Sequence, residues 1–319
     1  MTVTDRREPN GPPAESAEPT TWGADGALVV AAFFFGTTFV VVKDAVAEID
    51  PLPFLAVRFL IGAAVLLVAA RFRRATPAAA PGMAPAPASG GSGMLRHGVV
   101  AGLTLWGGYA FQTFGLQHTA PATSAFLTYM LVVIVPVLGL VFLRRRLHWT
   151  TLVGIVIAVG GLVLLTGGAS TGFGRGEALS LACAVGFAAH IVVLGQTAAR
   201  YDPVRFTAVQ LATVGVGSLV LATLDDPGSV AFGGAPLAAA AFTGVFATAL
   251  AFLAMVWAQQ SVSPSRAALI LLLEPVFAAL LSWADGETLS AASAAGGALI
   301  LVAVVVAEVL PQRLTVRSR

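Results

Sequence analysis

Glu274 and Pro275 stand side by side in the middle of an apolar run, Ser261 to Ser290, reading SVSPSRAALILLLEPVFAALLSWADGETLS. A carboxyl at bilayer depth costs roughly 2.5 kcal/mol or more, and such groups face a bundle interior or a wet cavity. Glu274 follows Pro264 by about ten residues, about 15 Å at the helical rise, which places it near the midplane of a bilayer core about 30 Å thick. There it would bind a substrate amine or carry a coupling proton. A neutral carboxyl hydrogen-bonded to a neighbouring helix is the structural alternative. Pro275 has no N–H, so the carbonyl of Leu271 loses its helical partner and becomes free to bind something else.

Arg58 lies about 10 Å into a second apolar segment that opens at Pro51. It would contact an anionic group of a substrate, or pair with Asp44, Glu48 or backbone carbonyls as a clamp. Lys43 comes two turns after Gly36, and its place near a segment end favours an interfacial anchor over a site residue. Trp106, Tyr109 and Gln112 recur every third residue and so share a helical stripe, mixing aromatic surface with an amide. That mixture would suit an amphipathic ligand in a cavity, or simply pack. Trp257 and Gln260 form a comparable pair further on. His190, deep in an apolar run, would serve as a proton relay or, the favoured reading, as an interhelical hydrogen-bonding residue. Pro136 would free the carbonyl of Val132 and kink its helix, much as Pro275 does for Leu271.

These residues need elements that hold them at membrane depth. The 319 residues are 57% hydrophobic and 11% charged, against about 25% charged in a soluble domain, and mean hydropathy is +0.87. The expected fold class is therefore an all-α polytopic membrane protein. Ten apolar segments, each near the roughly 20 residues a bilayer requires, fall at 27–45, 52–70, 98–116, 121–143, 149–166, 176–196, 204–222, 236–258, 264–284 and 291–309. Residues 1–25 lack the pattern of a signal peptide and read as a disordered tail. Residues 75–93 form a Pro/Ala/Gly/Ser linker with nothing to pack, and 311–319 form a second tail.

Of the 18 basic residues, 15 fall on one side of such an arrangement, among them Arg71, Arg96, Arg144, Arg200 and Arg266. Cytoplasmic loops retain Lys and Arg, so both termini are expected inside. A shift of 143 residues lays Leu116 to Leu127 over Gln259 to Ile270, superposing Gln117 on Gln260 and Pro121 on Pro264. An element of five spans is thus duplicated, in residues 26–167 and 175–310. Because five is odd, the copies must insert with opposite topology, giving two inverted five-helix repeats. Small residues on spans five and ten, Gly154, Gly160, Gly161, Gly296 and Gly297, would permit close helix approach between the halves or within a homodimer.

The chain resembles the drug/metabolite transporter superfamily, in its EamA-type ten-helix branch. The resemblance rests on FGTTFVVVK (Phe35 to Lys43), Pro53 with Arg58-Phe59, Gly115 to Leu138 and Leu152 to Leu165 in the first half. In the second it rests on Gly176 to Val193, Ser263 to Leu281 and Gly286 to Ser290. Phe35 stands where such proteins often carry Trp, and Arg145 where the first half often has the counterpart of Glu287. The resemblance implies a cavity between the halves, and export of amino acids, other metabolites or toxic compounds across a bacterial inner membrane.

The expected function is secondary-active export of a small metabolite, amino acid or drug-like compound by alternating access. An uncoupled exchanger or uptake carrier is the alternative. An intramembrane enzyme is a remote one, since no HExxH, paired intramembrane aspartates or Ser/His dyad occurs. No Walker A sequence is present. No cofactor or metal is expected, nucleic acid is a poor partner at a net charge of +2, and the partners are a small-molecule substrate and the lipid bilayer.

Overall fold

Proline marks where the helices begin, because it lacks a donor that the first turn cannot use. Pro51, Pro121, Pro203 and Pro264 each open a helix. Two of these starts carry side-chain caps: the Asp202 carboxylate accepts from Arg205 N–H at 3.0 Å and the Ser263 hydroxyl from Arg266 N–H at 3.3 Å.

The computed structural model describes residues 22–119, except 73–90, and residues 121–144, 149–167, 173–226, 228, 230, 233–284, 286 and 290–317. Among them all regular structure is helical: α1 (Trp22–Glu48), α2 (Pro51–Phe72), α3 (Gly91–Leu116), α4 (Pro121–Tyr129), α5 (Leu131–Leu143), α6 (Trp149–Thr166), α7 (Arg175–Thr197), α8 (Pro203–Asp225), α9 (Gly234–Thr243), α10 (Ala251–Ala258), α11 (Pro264–Leu271), α12 (Glu274–Ala284) and α13 (Ala291–Arg317). Three spans are composite. The fourth joins α4 to α5, the eighth joins α9 to α10 through a π-helical turn at Gly244–Leu250, and the ninth joins α11 to α12. Among the described residues, seven helical segments are long and apolar enough to cross a membrane, with two shorter apolar ones at Trp22–Thr38 and Ala291–Val306.

Several boundaries differ from expectation. Helix α1 begins at Trp22 inside the expected tail, α3 begins at Gly91 inside the expected linker, and α13 runs to Arg317. Weak helix formers such as Gly91 and Gly93 are carried along when an apolar helix extends by a turn or two beyond its hydrophobic stretch. Residues 1–21 and 73–90, the rest of that tail and linker, lie outside the described residues.

The fourth span also bends elsewhere than expected. Pro136 lies inside α5 without interrupting it, and the break comes at Met130. Met130 N–H bonds to Leu127 O at 3.2 Å, and the Met130 carbonyl accepts from Val133 and Ile134. A proline ring disturbs the turn that precedes it, and here the helix gives way near the start of that turn. The 143-residue shift then superposes α4 on α11 and the first residue of α5, Leu131, on the first residue of α12, Glu274. The two halves break at the same place, with a proline beside only one break.

Packing runs between the halves. Span 5 packs on span 10 and span 2 on span 7; α3 packs on α7 and α8 as the eighth span packs on α1 and α2; the fourth span packs on α7 as the ninth packs on α1. Glycines allow these contacts. A Cβ on Gly161 would meet the Gly296 carbonyl at 2.7 Å, and one on Gly215 would meet Leu60 Cγ at 2.8 Å. The glycine faces of spans 5 and 10 therefore meet each other within one chain. Gly161 lies against Ile300 while Gly296 lies against Leu165, so α6 and α13 run antiparallel; Gly62 against Leu211 and Gly215 against Leu60 give the same sense to α2 and α8.

Candidate functional site

At the break in span 9 the N–H groups of Leu272 and Leu273 reach back to Ala268, Leu269 and Ile270. Helix α12 then restarts on Glu274, with Pro275 at its second position. The carboxyl thus sits at a helix N-terminus, where the peptide dipoles favour negative charge. Span 1 presses against this point: a Cβ on Gly36 would lie 2.9 Å from the Glu274 carbonyl and 2.9 Å from Phe277 Cβ. Only glycine admits such an approach.

The Tyr129 hydroxyl donates a hydrogen bond to the Glu274 carboxyl. Tyr129 is the last residue of α4, so this bond ties the break of one half to the break of the other. Sequence reasoning passed over it. Under the repeat shift Tyr129 aligns with Leu272, two residues before Glu274, and that register was the signal that could have found it.

Arg58 is 4% exposed on α2, and its Nε donates to Thr248 Oγ1 at 2.8 Å. Thr248 belongs to the π-helical turn of span 8. Such turns leave backbone carbonyls poorly paired and commonly mark functional sites. Close approach again explains the position, because a Cβ on Gly62 would lie 3.0 Å from both the Gly244 carbonyl and Thr248 Cγ2. The guanidinium carbon lies 5.6 Å from the Phe59 ring centre, and Arg58 is close enough to Tyr109 and Glu274 to interact with both electrostatically. One buried cation and one carboxyl thus share a low-dielectric region between the halves.

Aromatic rings wall this region. Phe59 lies edge-on to Tyr109 at 5.0 Å, Tyr109 to Phe187 at 5.1 Å, and Phe35 to Phe252 at 5.0 Å. Cys183, the single cysteine, is buried beside Thr128, with 3.6 Å between sulfur and hydroxyl.

The other singled-out residues divide. Tyr109 joins Arg58 and Glu274. Trp106 instead packs on Gly217 of α8, with its indole nitrogen buried and without a hydrogen-bond partner among the described residues. Gln112 is half-buried one turn beyond Tyr109. His190 is clamped to the next helix, its Nε2 2.8 Å from Gln210 Oε1, whose amide donates to Phe206 O at 3.1 Å. Trp257 is 46% exposed and covers Gly23 near the start of span 1. Gln260, three residues on, donates to the carbonyls of Ala198 and Tyr201, both at 3.2 Å, so it braces a turn while Trp257 packs on span 1, and the two do not repeat the Trp106 stripe. The side chain of Lys43 lies outside the described residues. Among the described residues no group of three or more His, Cys, Asp or Glu side chains could hold a metal ion.

Comparison with known proteins agrees with this architecture. The EamA-like transporter family matches residues 22–167 and again 174–308. An uncharacterized transporter of Archaeoglobus fulgidus is 29% identical over 284 residues, covering 89% of this chain and 85% of that protein. A protein of known crystal structure superposes with a TM-score of 0.75 at 22% identity, over 91% of this chain and 98% of the other, a likeness of fold. The duplicated match spans both halves of the bundle, and the chain belongs to the EamA-like transporter family.

Proposed function

We propose that this membrane transporter is a secondary-active exporter of a small metabolite, amino acid or drug-like compound. It works by alternating access of two inverted five-helix repeats, with both termini in the cytoplasm of a bacterium and the bundle in its inner membrane. The antiparallel pairing of α6 with α13 and of α2 with α8 supports the inversion. The observation that carries the reading is the position of Glu274. It starts a half-helix at the centre of the bundle, tied by Tyr129 to the equivalent break of the other half, with Arg58 nearby. Interrupted helices at matching places in two repeats are where transporters bind substrates and coupling ions. A carboxyl there exchanges its proton or its bound amine as the halves rock.

The test is transport by purified protein in liposomes, comparing wild type with Glu274→Gln. The substrates are a pool of amino acids and cationic drugs, offered with and without an imposed proton gradient. Gradient-dependent flux that falls at least about tenfold in the variant, a change of about 1.4 kcal/mol, is the expected result. Gradient-independent exchange would favour the uncoupled carrier, and full flux in the variant would remove Glu274 from the cycle.

A further inference from the structure

Spans 1 and 9 start on one face of the membrane, and spans 4 and 6 start on the other, because odd numbers of crossings separate the two sets. In the repeat, span 6 is the counterpart of span 1 and span 4 of span 9, so the same pair of helices meets at each face. The two meetings have different chemistry.

Where spans 1 and 9 start, Asp25 in the first turn of α1 receives a two-pronged ion pair from Arg266 near the start of α11. Nε lies 3.0 Å from Oδ1 and Nη2 2.6 Å from Oδ2, and the side chains are 19% and 20% exposed. Where spans 6 and 4 start, the Thr119 hydroxyl donates to Glu177 Oε1, while Glu177 Oε2 caps its own helix through Gly174 N–H at 2.8 Å. Gly176 closes tightly on His118 there, with 2.6 Å from a hypothetical Cβ to the His118 carbonyl carbon. The polar contact continues inward along α4 and α7, through Ser124 and Ser180 with oxygens 2.9 Å apart, to Thr128 and Cys183. Glu274 and Tyr129 lie between the two sets of contacts.

We propose that these contacts are the two gates of the transporter. The Asp25–Arg266 ion pair closes the face on which the basic residues collect, and the Thr119–Glu177 and Ser124–Ser180 contacts close the opposite face. The proposal rests on the alternating-access reading and adds to it which contacts must break in each half-cycle. A bidentate Arg–carboxylate pair is strong and directional, so removing its charge shifts the equilibrium towards the state open at that face. The state open at the other face loses population by the same shift.

Cys183 provides the measurement. It is the single thiol, fully buried, and six residues, about 9 Å at the helical rise, inward from Glu177. A charged, membrane-impermeant maleimide is applied to one face of right-side-out or inside-out vesicles. Cys183 is reached through the face that carries Glu177, so in Asp25→Asn, which favours the state closed there, labelling from that face is expected to fall about tenfold below wild type. In Thr119→Val combined with Ser124→Ala it rises instead. The charge-exchanged double variant, Asp25→Arg with Arg266→Asp, returns labelling to the wild-type rate, which a folding defect would not do. Unchanged labelling, a rise in Asp25→Asn, or no recovery in the exchanged pair would overturn the assignment. Labelling requires no substrate, so absence of transport in liposomes would count against the export reading while these outcomes still judge the gates.

Discussion

Glu274 and Arg58 are legible in the sequence because charge inside an apolar segment is expensive and therefore conspicuous. Their partners are not legible, since Tyr129 and Thr248 are ordinary in membrane helices and reach the site only through folding. Arg58 and Thr248 are separated by 190 residues. The partners nonetheless carry testable consequences. Thr248→Val keeps the shape but leaves the buried Arg58 Nε without its acceptor, a change that costs about 1–3 kcal/mol. A correspondingly lower denaturation midpoint in detergent is expected, and no change would show that Arg58 is held by other contacts. Tyr129→Phe keeps the ring and removes only the hydroxyl that bonds Glu274. Hydrogen bonds to charged groups are worth about 1.5–3 kcal/mol, so turnover in the liposome assay is expected to drop by roughly tenfold or more. Transport equal to wild type would mean that the bond merely fills space.

The ten helical segments follow from length and hydropathy, and their starts from proline and capping residues. Where the helices break inside the membrane was harder to read. Proline at 275 pointed to one break correctly, whereas proline at 136 pointed half a dozen residues past the other, which lies at Met130. The 143-residue repeat was the better guide, because equivalent helices meet equivalent neighbours and yield at equivalent turns. Helix contacts show the same limit. The glycines of spans 5 and 10 suggested close packing, but only the structure separates those that meet a neighbour from those that face outward. Gly296 abuts the Gly161 carbonyl, whereas nothing lies within 4 Å of a Cβ placed on Gly160. Gly296→Ala is therefore expected to lower stability by about 1–3 kcal/mol through overpacking. Gly160→Ala should be neutral or stabilise by up to about 1 kcal/mol, since alanine favours a helix interior over glycine. Thermal unfolding of the two variants side by side checks the contrast, and equal effects would mean that spans 5 and 10 do not pack as described.

For the molecule as a whole, the pairing of helices between halves makes each repeat incomplete without the other. No span of the first half completes a bundle alone, because the main contacts of spans 2, 3, 4 and 5 are with spans of the second half. Under the proposed alternating access, such a bundle would exchange two packings that differ by which half of the contact set is tight. Its orientation is set by charge rather than by packing. With basic residues gathered at the loops after spans 2, 4, 6 and 8, those loops are expected in the cytoplasm together with both termini. A reporter fluorescent only in the cytoplasm should therefore be active when inserted within residues 73–90 or fused after residue 319. An enzyme reporter active only outside should work within residues 226–233. The opposite pattern would invert the whole molecule in the membrane. It would leave the two proposed gates at their helix ends but move the Asp25–Arg266 ion pair to the outer face, so that breaking the pair would open the bundle to the outside rather than to the cytoplasm.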